Sequence, residues 1–187
     1  GRIGLNLAKM AKGFAMNILV YDPYPRPELA KEIGFSYVPI EELLAKSDVI
    51  SLHVPYMPAT HHLLNRKAFE QMKRGVVLVN TARGGLVDTS ALIWALDKGI
   101  VAGAGLDVLE EENCIKEERE LVHRDFAMKC DLSTVIKNHV LINRKDVIIT
   151  PHIAWYSEEA VHRILDTTVE NVNKFIAGEP VNVVQLK

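Results

Sequence analysis

Three kinds of side chain stand where a polypeptide could use them for chemistry. Arg83 closes the run Val79-Asn80-Thr81-Ala82 and precedes Gly84-Gly85. A guanidinium delivered by an apolar run can grip a carboxylate through two parallel hydrogen bonds. A surface arginine on a loop would read the same way. Asp107 ends the run Gly105-Leu106 and is followed by Val108-Leu109 and three glutamates, Glu110, Glu111 and Glu112. Acid clusters are usually solvated, but Asp107 stands apart because an apolar segment delivers it. His152 lies between Thr150-Pro151 and Ile153-Ala154-Trp155-Tyr156. A lone histidine is often structural. Imidazole nevertheless titrates near neutrality, which suits proton transfer.

A second group concerns an anion. Gly1-Arg2-Ile3-Gly4 runs into a helical pattern and matches the last four positions of G-x-G-x-x-G, which places the first residue inside that motif. Glycines there let a pyrophosphate approach the backbone at a helix N-terminus, where free amides and the helix dipole favour negative charge. Asp22 ends the next apolar run, 18 residues after Gly4. That is close to the spacing of about 20 for a carboxylate that binds a ribose 2′-hydroxyl. A carboxylate there repels a 2′-phosphate, so NAD is favoured over NADP. An ordinary turn aspartate before Pro23 is the competing reading.

The elements that must position these residues alternate. Helices are predicted over 5–14, 27–33, 40–46, 66–72, 89–98 and 157–177 from apolar residues at helical spacing. Asp88 or Thr89 caps the fifth of these, and Ser157 caps the last, which stops at Gly178 and Pro180. Strands are predicted over 17–22, 48–54, 75–80, 101–108 and 147–150, the first suited to burial on both faces. Such alternation defines an α/β doubly wound parallel sheet, Rossmann-like, in which ligands bind beyond the carboxyl ends of the strands. Asp22, Val54, Pro55, Thr81 to Arg83, Asp107 and His152 all fall at or just past predicted strand ends. The charged stretch 110–146 breaks the rhythm, with helical pieces near 116–122 and 132–137, and reads as an excursion on the rim.

Composition narrows the functional classes. With 48% hydrophobic and 25% charged residues, the chain can bury a real core. A net charge of -2 without basic runs gives no support for a nucleic-acid or anionic-membrane partner. No apolar stretch approaches the roughly 20 residues that span a bilayer. Two cysteines, Cys114 and Cys130, do not make a disulfide framework, and a reducing, cytoplasmic compartment is the simpler expectation. The spacing of Cys114, His123, Cys130 and His139 does not match structural zinc sites, so no metal is expected.

The segments SDVISLHVP, VLVNTARGGLVDTSAL, GAGLDVLEEE and VIITPHIAWYS, in this order, resemble the nucleotide-binding domain of D-isomer-specific 2-hydroxyacid dehydrogenases. TPHIAWYS and the long insert before it are nearest the D-lactate dehydrogenase branch. The resemblance implies an oxidoreductase that moves hydride between NAD and a small 2-keto or D-2-hydroxy acid, pyruvate and D-lactate first. It implies Arg83 as the arginine for the substrate carboxylate and His152 as the general acid-base. Glu112, 29 residues beyond Arg83, is implied as the carboxylate paired with His152, with Glu110 the competing register. Asp107 is implied to hold the nicotinamide carboxamide. Gly1, Arg2, Ile3 and Gly4 match the pyrophosphate turn, Val54 and Pro55 the adenosine side, and Thr60 a further cofactor contact. Thr81 and Ala82 would lie along the nicotinamide, and a homodimer is expected.

The family also has a strand and a first glycine ahead of the position of Gly1, and a substrate domain built mostly from preceding chain. The expected division is therefore 1–154 as the NAD-binding domain, short of its first strand at the N-terminus, and 155–187 as a return segment and helix of the substrate domain. On this reading the 187 residues are part of a longer polypeptide and inactive alone. Other 2-hydroxyacids (phosphoglycerate, glyoxylate, hydroxyisocaproate) and a non-catalytic NAD(H)-sensing module remain alternatives.

Overall fold

The computed structural model describes residues 1–112 and 131–184. Its elements are α1 (Arg2–Gly13), β1 (Leu19–Val20), α2 (Pro27–Ile33), β2 (Ser36–Tyr37), α3 (Ile40–Lys46), β3 (Val49–Leu52), α4 (Arg66–Glu70) and β4 (Val76–Asn80). They continue with α5 (Thr89–Asp97), β5 (Val101–Leu106), α6 (Leu132–Ile142), β6 (Val147–Ile149) and α7 (Glu158–Ile176). Single 3-10 turns cover Pro58–Thr60 and Gly84–Leu86. The expected helical piece near 116–122, together with Cys114, His123 and Cys130, lies outside the described residues. The expected piece at 132–137 is the first half of α6.

The chain forms two compact units that divide between Pro151 and His152. In the first, β3, β4, β5 and β6 pair side by side, all parallel. Leu52 stands opposite Asn80, Asn80 opposite Leu106, and Leu106 opposite Ile149. These four residues make one row across the carboxyl end of the sheet. β1 and β2 form a separate parallel pair. The architecture is Rossmann-like, with parallel strands and flanking helices.

Side-chain alternation decides the core. Val76, Leu78 and Asn80 of β4 point to one face and are buried. Val76 and Leu78 pack with Ile50, Leu52, Val101, Ala104, Leu106 and Val147 of the neighbouring strands and with Phe69, Leu92, Ala95 and Leu141 of α4, α5 and α6. Phe69 and Leu78 are completely excluded from solvent. Truncating either to alanine should cost about 2–5 kcal/mol through lost transfer energy and the cavity left behind. The opposite face is more open, with Val49, Val77 and Ile148 exposed. The first strand also departs from expectation. β1 is two residues long and only half-buried, because its one partner is the two-residue β2. Around that pair Ala8, Ile33 and Phe35 form a second, smaller core with Leu5, Ile18, Val20 and Leu29.

Helix ends follow local chemistry. The Asp88 carboxylate accepts from Ala91 N–H at 3.1 Å, so Asp88, not Thr89, is the cap of α5. In the second unit Ser157 Oγ accepts from Ala160 N–H at 3.2 Å and opens α7. Glu158 and Glu159 in its first turn and Lys174 in its last complement the helix dipole. No residue of α7 is buried, and its apolar side chains Ile164, Leu165, Val169, Val172 and Phe175 are exposed. Among the described residues, no helix is long and apolar enough to cross a membrane.

Candidate active site

The row Leu52, Asn80, Leu106, Ile149 sets where the candidate residues emerge. His53 to Pro55 leave β3, Thr81 to Arg83 leave β4, Asp107 leaves β5 and Thr150 leaves β6. In a parallel sheet these exits share one edge, the ligand-binding edge of open α/β folds.

Each exit is shaped by hydrogen bonds. The Asn80 side chain is buried; its Oδ1 accepts from Ala82 N–H at 3.0 Å and its Nδ2 donates to the Arg83 carbonyl at 2.9 Å. It thereby folds Thr81 to Arg83 into a tight turn. The Arg83 side chain is exposed, with Nη1 donating to the Ala82 carbonyl at 2.6 Å. Gly84 comes against the next exit so closely that a Cβ there would lie 2.1 Å from the Leu109 backbone. A Cβ at Gly85 would lie 2.6 Å from the Tyr56 ring. The backbone approach requires glycine at 84, whereas a side chain at 85 would have to displace the exposed Tyr56 ring. Asp107 is buried, donates its N–H to the Asn80 carbonyl at 2.9 Å, and accepts from Thr150 Oγ1.

The first acid of the glutamate run is engaged inward. Glu110 Oε2 accepts from Thr89 N–H at 2.8 Å and from Thr89 Oγ1 at 2.6 Å, and Oε1 lies 2.6 Å from His62 Nε2. Glu112 Oε2 is 3.4 Å from Leu109 N–H. On the β3 side Thr60 Oγ1 donates to the Pro55 carbonyl at 2.7 Å and accepts from Met57 N–H at 2.9 Å, which closes the 55–60 turn. Asn80, His62 and Thr150 were not singled out from the sequence, and Glu110 was named only as the competing register for Glu112. The only available signal was an asparagine ending a buried apolar run.

The N-terminus of α1 suits a phosphate group. No side chain caps it, so its first amides are open to an anion. At Gly4 a Cβ would stand 3.4 Å from His53 Cβ, so a bulkier residue would press on the β3 exit. Burial holds the His53 imidazole below its ordinary pKa, and its Nε2 lies 2.9 Å from Ser51 Oγ. Asp22 follows β1 by two residues and accepts from Tyr24 N–H at 2.9 Å in a local turn.

In the second unit His152 adopts a left-handed backbone, φ +57°. Trp155 Nε1 donates to the His152 carbonyl at 3.1 Å, and Trp155 and Tyr156 rings meet edge to face at 5.3 Å. A non-glycine residue at positive φ is uncommon and is held there by its surroundings.

Residues 1–154 match the family described as "D-isomer specific 2-hydroxyacid dehydrogenase, NAD binding domain". The chain belongs to this family, and its cofactor is NAD. It is 41% identical to the D-lactate dehydrogenase of Treponema pallidum, covering 96% of this chain and 51% of that protein. It is 42% identical to the glyoxylate reductase of Thermococcus litoralis, covering 98% and 49%. Among solved structures, the Aquifex aeolicus D-lactate dehydrogenase complexed with NAD and lactic acid superposes with a TM-score of 0.82 at 42% identity, covering 96% of this chain and 52% of that one. The chain thus spans about half the length of the curated relatives it matches.

Proposed function

We propose that the polypeptide carrying this chain is an NAD-dependent dehydrogenase of D-2-hydroxyacids, with pyruvate and D-lactate as its first substrate pair. The observation that carries this reading is the single edge on which four parallel strands deliver Val54, Thr81 to Arg83, Asp107 and Thr150. The family membership of residues 1–154 supports it.

The roles follow from the residues. The amides of Arg2, Ile3 and Gly4 would hold the pyrophosphate, with Gly1 leaving room for it, and Asp22 the adenosine ribose. Val54, Pro55 and Thr60 would face the adenosine half, while Thr81, Ala82 and Asp107 would hold the nicotinamide half. When bound, NADH supplies the hydride for C2 of the keto acid. Arg83 fixes the substrate carboxylate with its planar fork and polarises the neighbouring carbonyl. His152 gives a proton to the oxygen as it becomes a hydroxyl, and takes one back in the reverse direction. Glu112 is the carboxylate paired with His152. Proton transfer of this kind contributes about 10²–10⁴-fold to rate. We extend the reading to a homodimer in the cytoplasm, with residues 155–187 returning to the substrate domain.

The substrate is tested by assaying the native polypeptide with NADH and pyruvate, 2-ketoisocaproate, glyoxylate and hydroxypyruvate. The highest kcat/KM is expected with pyruvate. A preference for glyoxylate or hydroxypyruvate would move the protein toward the glyoxylate reductase and glycerate dehydrogenase relatives. Silence on all four with tight NADH binding would make it a sensor.

A further inference from the structure

We propose that Glu110 is a positioning residue, which clamps the turn Leu109 to Glu112 and so presents Glu112 at the sheet edge; the proposal rests on the role given to Glu112 above. Four segments grip this turn. Gly84, next to Arg83, packs its backbone against Leu109. Thr89, at the first turn of α5, donates twice to the Glu110 carboxylate. His62, from the loop that follows Thr60, meets the other oxygen. Asn138 of α6 donates from Nδ2 to the Glu110 carbonyl at 2.6 Å.

A simple helix cap does not account for this arrangement. α5 already has a cap in Asp88. Asn138 is completely buried, its Nδ2 is committed to the Glu110 carbonyl, and among the described residues its Oδ1 has no hydrogen-bond partner. The next residue, Glu111, takes a left-handed backbone at φ +51°, a conformation that persists only where neighbours over-determine it. Uncommon features at three consecutive points of the turn are the signature of a backbone held for a purpose. The clamp also joins the loop proposed to face the cofactor to the turn that carries Glu112.

Positioning by hydrogen bonds does not require the charge of Glu110, and this separates it from a chemical role. In the native polypeptide, Glu110→Gln should keep most of kcat, because the amide can still accept from Thr89 and hydrogen-bond the His62 ring. Glu110→Ala should lower kcat at least tenfold while the NADH dissociation constant stays within twofold. Asn138→Leu, which fills the same buried space without a donor, should give the same split and serves if the alanine variant does not fold. Unchanged kcat in either variant with only a lower melting temperature would reduce the clamp to a structural brace. Glu110→Gln as inactive as His152→Gln would make Glu110 a chemical participant. Both results overturn the proposal. Glu112→Gln and His152→Gln are measured alongside: if both stay fully active, the functional reading itself fails, whatever Glu110 does.

Discussion

Thr150 Oγ1 donates to Asp107 Oδ1 across 2.5 Å and ties the residue after β6 to the residue after β5. Asp107 is buried, so its carboxylate depends on such partners to remain at the sheet edge. Thr150→Val keeps the shape and removes the donor. The variant should lose about 1.5–3 kcal/mol of unfolding free energy in urea, the usual worth of a hydrogen bond to a charged group. It should also bind NADH more weakly. Unchanged stability and affinity would mean that Asp107 is held by other contacts.

Asp22 is expected to decide between the two nicotinamide dinucleotides. Its carboxylate would bond the ribose hydroxyl and repel a phosphate in the same place. Asp22→Ala should narrow the NADH over NADPH preference in kcat/KM at least tenfold. A preference that does not move would place the ribose elsewhere.

These two residues show how far the amino-acid order reached. The placement of Asp22, Arg83, Asp107 and His152 after strands was legible because each follows an apolar run whose end can be read locally. The caps Asp88 and Ser157 were legible for the same reason: their bonds span three residues. The Glu110 clamp was not. Its partners lie 48, 21 and 28 residues away, and no local pattern announces contacts at that distance. The left-handed conformations of Glu111 and His152 were equally hidden, since neither is a glycine. β2 was missed because Ser36-Tyr37 is too short and too polar to form an apolar run. Glu110 and Glu112 are near neighbours in the chain, and only the inward bonds of Glu110 separate their parts.

The half-buried imidazole of His53 makes a prediction about acid. Burial lowers its pKa from the ordinary 6.5 of an unfolded chain. Between the two values the unfolded state binds more protons, so stability rises with pH. The contribution is therefore present above about pH 6.5 and is lost as pH falls through the folded value. Unfolding free energies measured from pH 8 to pH 5 should fall for the native protein and fall less for His53→Gln. Equal slopes would show that other groups carry the acid sensitivity.

Arg83→Lys should spare the cofactor and fail at the substrate. An ammonium offers no planar pair of donors, so kcat/KM for the keto acid should drop about 100-fold. The NADH dissociation constant should stay within twofold by fluorescence titration. Equal losses in both would recast Arg83 as a phosphate-binding residue.

The proposed function has an imidazole at position 152 move the proton while residues at the sheet edge and the start of α1 hold the dinucleotide. It is tested most directly by single-turnover reduction of pyruvate with His152→Gln in the native polypeptide, alongside NADH titration. The account predicts a rate at least 100-fold below that of the unaltered protein, with NADH affinity unchanged. A rate near normal would contradict it.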